Sequence, residues 1–159
     1  MNIENKHRLY VKEILEAQTF EHQRIAANKT FSKLLSGSRA VVLAAEMQSG
    51  KSGIALALAG LQRLSLSDEL IGNRKLLKDT LYLVTMGDIS LQEQAKRDLS
   101  YCKNVVVSNF INFDITIKTE FRHQNPKLII IDECHYGSSS DSIRYDKMTC
   151  SPLISTPRC

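Results

Sequence analysis

Residues 40–61 read Ala40-Val41-Val42-Leu43-Ala44-Ala45-Glu46-Met47-Gln48-Ser49-Gly50-Lys51-Ser52-Gly53-Ile54-Ala55-Leu56-Ala57-Leu58-Ala59-Gly60-Leu61. A short apolar run follows the helix-stopping Ser36-Gly37-Ser38, and its length and bounds predict a buried strand over 40–44. The run from Ile54 is long and apolar enough for a packed helix. Between them, residues 45–52 fit the phosphate-binding pattern G-x-x-x-x-G-K-[ST] at its last three positions, with Ala45 in place of the first glycine. A strand, a loop ending in Gly-Lys-Ser and a helix, in that order, predict an α/β fold. The same tripeptide also opens ordinary helices that carry an exposed lysine, so its context is what gives it weight.

The flanking sequence repeats the alternation. Upstream, residues 4–17 and 20–36 have helical spacing, with Thr19 as the expected cap of the second helix. Downstream, Thr80-Leu81-Tyr82-Leu83-Val84-Thr85, Asn104-Val105-Val106-Val107-Ser108 and Leu128-Ile129-Ile130-Ile131-Asp132 predict three more buried strands. A helix through Leu91, Ala95 and Leu99 is expected to start at Ser90, with Glu93 at capping-box spacing. Residues 109–126 are ambiguous, and Asp114 to Lys118 read as strand or turn. Four apolar strands alternating with helices imply a parallel sheet covered on both faces.

Two chemistries are written at the ends of these strands. In the loop, backbone N–H groups and the start of the next helix surround phosphates. Lys51 reaches the β/γ oxygens, and Ser52 offers a hydroxyl to Mg²⁺. At the end of the last strand, Asp132 and Glu133 follow four apolar residues, at the sheet edge where α/β proteins bind ligands. Asp132 is the expected magnesium partner and Glu133 the group that polarises attacking water. His135, three residues after Asp132, suits a contact on the γ-phosphate side or to a neighbouring motif, and Cys134 is expected to pack rather than react.

The 159 residues suffice for one domain with its own core, and 43% apolar with 24% charged is a globular composition. That balance excludes collagen-like, mucin-like and supercharged chains. The net charge of +4 permits a nucleic-acid partner without requiring one, and no basic block stands out. No apolar run reaches the roughly 18 residues of a membrane span, and no signal-peptide pattern opens the chain. Cys102, Cys134, Cys150 and Cys159 form no C-x-x-C pair, so reduced thiols in a cytoplasmic protein are expected.

Gln48-Ser49-Gly50-Lys51-Ser52 and Asp132-Glu133-Cys134-His135 together resemble motifs I and II of the superfamily 2 DExH/DEAD-like helicases, in the branch shared by phage helicases and restriction-enzyme motor subunits. Phe20-Glu21-His22-Gln23 resembles the upstream segment whose glutamine reads adenine, 28 residues before Lys51. The resemblance implies a three-layer P-loop NTPase fold of RecA-like type, with a mostly parallel sheet incomplete at its C-terminal end and helices before it. It divides the chain into an N-terminal helix (1–19), a first RecA-like domain (20–135) and a polar, turn-rich tail (136–159). It implies ATP and Mg²⁺ as cofactors, held by Gln23, Ala45, Glu46, Met47, Gln48, Ser49, Gly50, Lys51, Ser52, Asp132 and His135, with Ser52 and Asp132 on the metal. Glu133 and Lys51 are then the catalytic pair. Leu83-Val84-Thr85-Met86 and the helix after it resemble motif Ia, which implies DNA or RNA contacts by Thr85, Gln92, Lys96 and Arg97.

The likeness ends near residue 135. Leu153-Ile154-Ser155-Thr156-Pro157 only hints at the family's Ser-Ala-Thr motif. No match to the family's second lobe or arginine finger is read in residues 136–159, so a truncated product or a lobe supplied by a separate chain is expected. The competing readings are another P-loop NTPase or kinase, and a non-catalytic fragment that binds ATP or nucleic acid.

Overall fold

The structure, a computed structural model, describes residues 2–44, 50–85 and 88–132. Their elements in chain order are helices α1 (Ile3–Gln18), α2 (Glu21–Leu35), α3 (Lys51–Leu64) and the short α4 (Asp68–Ile71), a 3₁₀ turn (Arg74–Leu76), strand β1 (Thr80–Val84), α5 (Ile89–Leu99), β2 (Val105–Asn109), α6 (Phe113–Glu120) and β3 (Leu128–Ile131). The strands form one parallel sheet in the order β2-β1-β3, with Thr80 opposite Val105 on one side and Leu128 on the other.

Strand periodicity sorts the core into two halves. Tyr82 and Val84 point to the face covered by α3 and α5, where Ala55, Leu56, Ala59, Leu99 and Cys102 meet them. On the same side, α2 packs Ala27 and Phe31 against Ile54, Ala57 and Leu58 of α3. Leu81 and Leu83 point the other way, into Phe110, Phe113, Ile117 and Phe121. The result is a three-layer α/β/α stack. The crossover β1–α5–β2 runs outward on one face, and β2–α6–β3 returns across β1 on the other. Reversing direction while keeping a right-handed crossover requires that change of face.

At α1 the chain comes close to α3. A Cβ on Gly60 would lie 2.7 Å from Leu15 Cδ2, so glycine sets the helix spacing there. Arg8 donates to the carbonyls of Leu64 (2.7 Å) and Leu66 (2.6 Å), closing the C-terminal end of α3, and pairs with Asp68 at 2.9 Å. The N-terminal helix is thus part of the same core.

Beneath the sheet's N-terminal edge lies a buried charged cluster. Arg63 (2% exposed) and Asp79 (0%) approach to 3.6 Å, an ion pair rather than a hydrogen bond. Arg63 donates to the carbonyls of Ile71 (2.8 Å) and Leu76 (3.3 Å) and to His7 Nε2 (3.3 Å). Asp79 Oδ1 accepts from Thr80 Oγ1 (2.9 Å) and Asn104 Nδ2 (2.8 Å), whereas Oδ2 has no hydrogen-bond partner among the described residues. Burial raises the Asp79 carboxyl and lowers Arg63. It also pushes the Cys102 thiol up to about 11, helped by the Asp79 charge, so that sulfur is a packing group.

Four local expectations are corrected. Residues 40–44 form no strand, and Val42 is 80% exposed. An apolar run reports preference for burial but not a place in a ladder. Thr19 ends α1 instead of capping α2, because its hydroxyl donates to the Leu15 carbonyl; Phe20 is the residue that precedes α2. Asp88, not Ser90, caps α5, accepting from the Ser90 N–H at 2.8 Å, and Glu93 pairs with Lys96. The bonds from Ser90 hold the Asp88 carboxyl below its usual range. Asp114 to Lys118 are helical within α6, whose Phe113 and Ile117, one turn apart, anchor one face on the sheet.

Candidate functional site

The direction of α3 follows from two buried contacts. Asn104, at the start of β2, donates to the Ala59 carbonyl at 3.0 Å, which fixes Ala59 at the sheet's N-terminal edge. With Arg63 further along α3 paired to Asp79 just before β1, the C-terminal half of α3 sits at that edge and its N-terminus points away from it, where Ser52 meets the last turn of α5. From β1 the chain moves out to β2 through α5 and returns past β1 to β3 through α6 on the opposite face. In open α/β sheets ligands bind in the crevice outside the C-terminal ends of the strands. Thr85 follows β1 there, buried, and Asp132 follows β3, half-buried, its N–H donating to the Leu83 carbonyl at 3.0 Å.

Gly50 caps α3 with φ +74 and ψ 46, the left-handed conformation that favours glycine. Lys51, the first helical residue, is exposed and makes no ion pair among the described residues. Two features there were not legible in sequence. First, Gln23 is 4% exposed, with its Nε2 donating to the Gly50 carbonyl (2.9 Å) and its Oε1 accepting from the Phe20 N–H (2.8 Å). Its amide fills the space beside both glycines of the turn: a Cβ on Gly50 would lie 2.1 Å from Nε2, and one on Gly53 2.2 Å from Oε1. The group expected to face adenine is thus engaged with the protein's own backbone. Beside it, the rings of Phe20 and His22 stack at 5.9 Å. Second, Ser52 Oγ donates to Asp98 Oδ2 at 3.0 Å, joining α3 to α5. A contact across 46 residues leaves no local sequence signal.

Of the other expected site residues, Ala45, Glu46, Met47, Gln48, Ser49, Glu133 and His135 lie outside the described residues. The four nucleic-acid candidates have different surroundings. The Thr85 side chain is buried, and Gln92 accepts from Asn109 Nδ2 at 3.0 Å. Lys96 is exposed and paired with Glu93 at 2.8 Å, and Arg97 is exposed on α5.

The donors near the α3 N-terminus and the β3 end are a hydroxyl and carboxylates: Ser52, Asp98 and Asp132. Hard oxygen donors of this kind suit magnesium, which takes few protein ligands and keeps waters and phosphate oxygens for the rest. No group of three or more His, Cys, Asp or Glu side chains among the described residues forms a self-sufficient metal cage. No helix among them is long and apolar enough to cross a membrane. An open groove of about 450 Å³ lies elsewhere, beside the end of α6 and residues 121–125. Comparisons with protein families, with curated proteins and with solved structures find no match for this chain.

Proposed function

We propose that this chain captures Mg-ATP at the N-terminus of α3 and serves as the ATP-binding lobe of a nucleic-acid-dependent ATPase of superfamily 2 helicase type. One observation carries the reading: a 14-residue helix packed on a parallel sheet is opened by a left-handed Gly50 and an exposed Lys51, with its C-terminal half at the sheet's N-terminal edge and its open end pointing the other way. The helix N-terminus and its unpaired N–H groups favour the phosphates, and Lys51 adds a mobile cation for the β/γ oxygens. Bound magnesium would neutralise phosphate charge there. Ser52 and Asp132 are its proposed holders, with Glu133 acting on water. Gln23 enters as a strut that ties the carbonyl of Gly50 to α2. The exposed Lys96 and Arg97 of α5 are the groups open to a DNA or RNA backbone. Strand separation takes a second lobe, so the share assigned to this one is nucleotide capture.

The test is equilibrium binding of a fluorescent ATP analogue with magnesium present. A charge-assisted contact is worth about 1.5–3 kcal/mol, so Lys51→Ala should weaken binding by about 10-fold to 100-fold. Equal affinity in Lys51→Ala and the parent chain would overturn the proposal.

A further inference from the structure

We infer that Asp98 is a positioning residue for the magnesium seat, a role that rests on the nucleotide-binding reading above. Ser52 Oγ stands 3.0 Å from Asp98 Oδ2, and a carboxylate can only accept from it. The hydroxyl proton is therefore directed at α5, which leaves the oxygen's lone pairs on its other sides. A hydroxyl that ligates a cation must present a lone pair and keep its proton away from the metal. Asp98 imposes that orientation before any ligand arrives.

The distance is held by packing. C-terminal to this contact in both segments, Ala55, Leu56 and Ala59 of α3 are buried against the core that also takes Leu99 and Cys102. The apolar contact already joins the two helices, so the polar bond adds direction to one hydroxyl. Asp98 and Ser52 are both half-buried, which shields their bond partly from water. Partners that orient a metal ligand from outside the coordination sphere typically contribute 10-fold to 100-fold in metal affinity.

The experiment measures the affinity of the fluorescent ATP analogue in excess Mg²⁺ and in EDTA, and takes their ratio as the magnesium-dependent gain. Asp98→Ala should lose about 10-fold or more of that gain. Ser52→Ala should lose a comparable or larger part, and the double variant no more than Ser52→Ala alone. If Asp98 merely ties α5 to α3, Asp98→Ala lowers affinity alike in both conditions and keeps the parent's gain, which would overturn the positioning role and leave the nucleotide site standing. Should far-UV circular dichroism find Asp98→Ala unfolded, Asp98→Leu decides: it has a similar size and no acceptor, so a several-fold loss of gain supports the role and an unchanged gain overturns it. A parent chain that binds no nucleotide in either condition would overturn the functional reading and this role with it.

Discussion

Gln23→Ala separates two roles for a residue that the sequence places near adenine and the structure places under the turn at Gly50. The side chain is almost wholly buried and makes two backbone hydrogen bonds, one to Gly50 and one to Phe20. At about 1 kcal/mol for each, the substitution should cost about 2 kcal/mol of stability in urea denaturation. The Gly50 carbonyl then keeps the bonds from the Gly53 (2.9 Å) and Ile54 (3.3 Å) N–H groups but loses its brace from α2. If half to all of one such bond contributes to ordering the turn for phosphate, ATP and GTP should both bind more weakly, by about 2-fold to 5-fold and to the same extent. A base reader behaves differently: ATP alone weakens, the gap between ATP and GTP narrows, and stability barely moves. That second pattern, in competition binding with both nucleotides, would refute the strut. Gly53→Ala is a companion test, because its Cβ overlaps the Gln23 amide. It should destabilise the parent more than it destabilises Gln23→Ala, where the space is open.

The remaining predictions concern the buried cluster. Arg63→Met leaves the Asp79 carboxyl buried without its cation and should cost about 3–5 kcal/mol in urea denaturation; a loss under about 1 kcal/mol would contradict the pairing. Asp79→Asn should cost less than Arg63→Met, since burial already favours the neutral acid and an amide keeps the acceptor facing Asn104 and Thr80; the reverse order of midpoints would be contrary. Burial and nearby Arg63 lower the His7 pKa from 6.5, and Nε2 must stay unprotonated to accept from Arg63. The unfolded chain therefore binds the proton more tightly, so stability should fall as pH drops below about 6.5 towards the lowered folded value. His7→Gln should flatten that part of the melting-temperature profile, and parallel profiles for both chains would count against it.

The layers were readable because they rest on periodicity. Leu81-Tyr82-Leu83-Val84 and Leu128-Ile129-Ile130-Ile131 are apolar at every position and short, as strands covered on both faces are. The alternation of strand and helix then dictates parallel pairing. Residues 40–44 show the limit of that reasoning: the run is apolar, yet strand formation needs ladder partners, and pairing is a tertiary property that composition does not encode. Caps failed for a related reason. Thr19 and Ser90 are both good capping types, but each had a neighbour with a better-placed acceptor or donor. At the site, Lys51, Ser52 and Asp132 could be named from local pattern alone. Asp98 beside Ser52, and Arg63 beside Asp79, join residues 46 and 16 apart in sequence, and nothing in either stretch marks its partner.

The central claim is the location of the nucleotide, and backbone amide NMR of the parent chain titrated with Mg²⁺ and a non-hydrolysable ATP analogue tests it most directly. Saturable shifts concentrated at Gly50–Gly53, with Thr85 and Asp132 moving alongside, are the predicted result. Shifts confined to the groove beside α6 at Lys118–Gln124, or no saturable shifts at all, would contradict it.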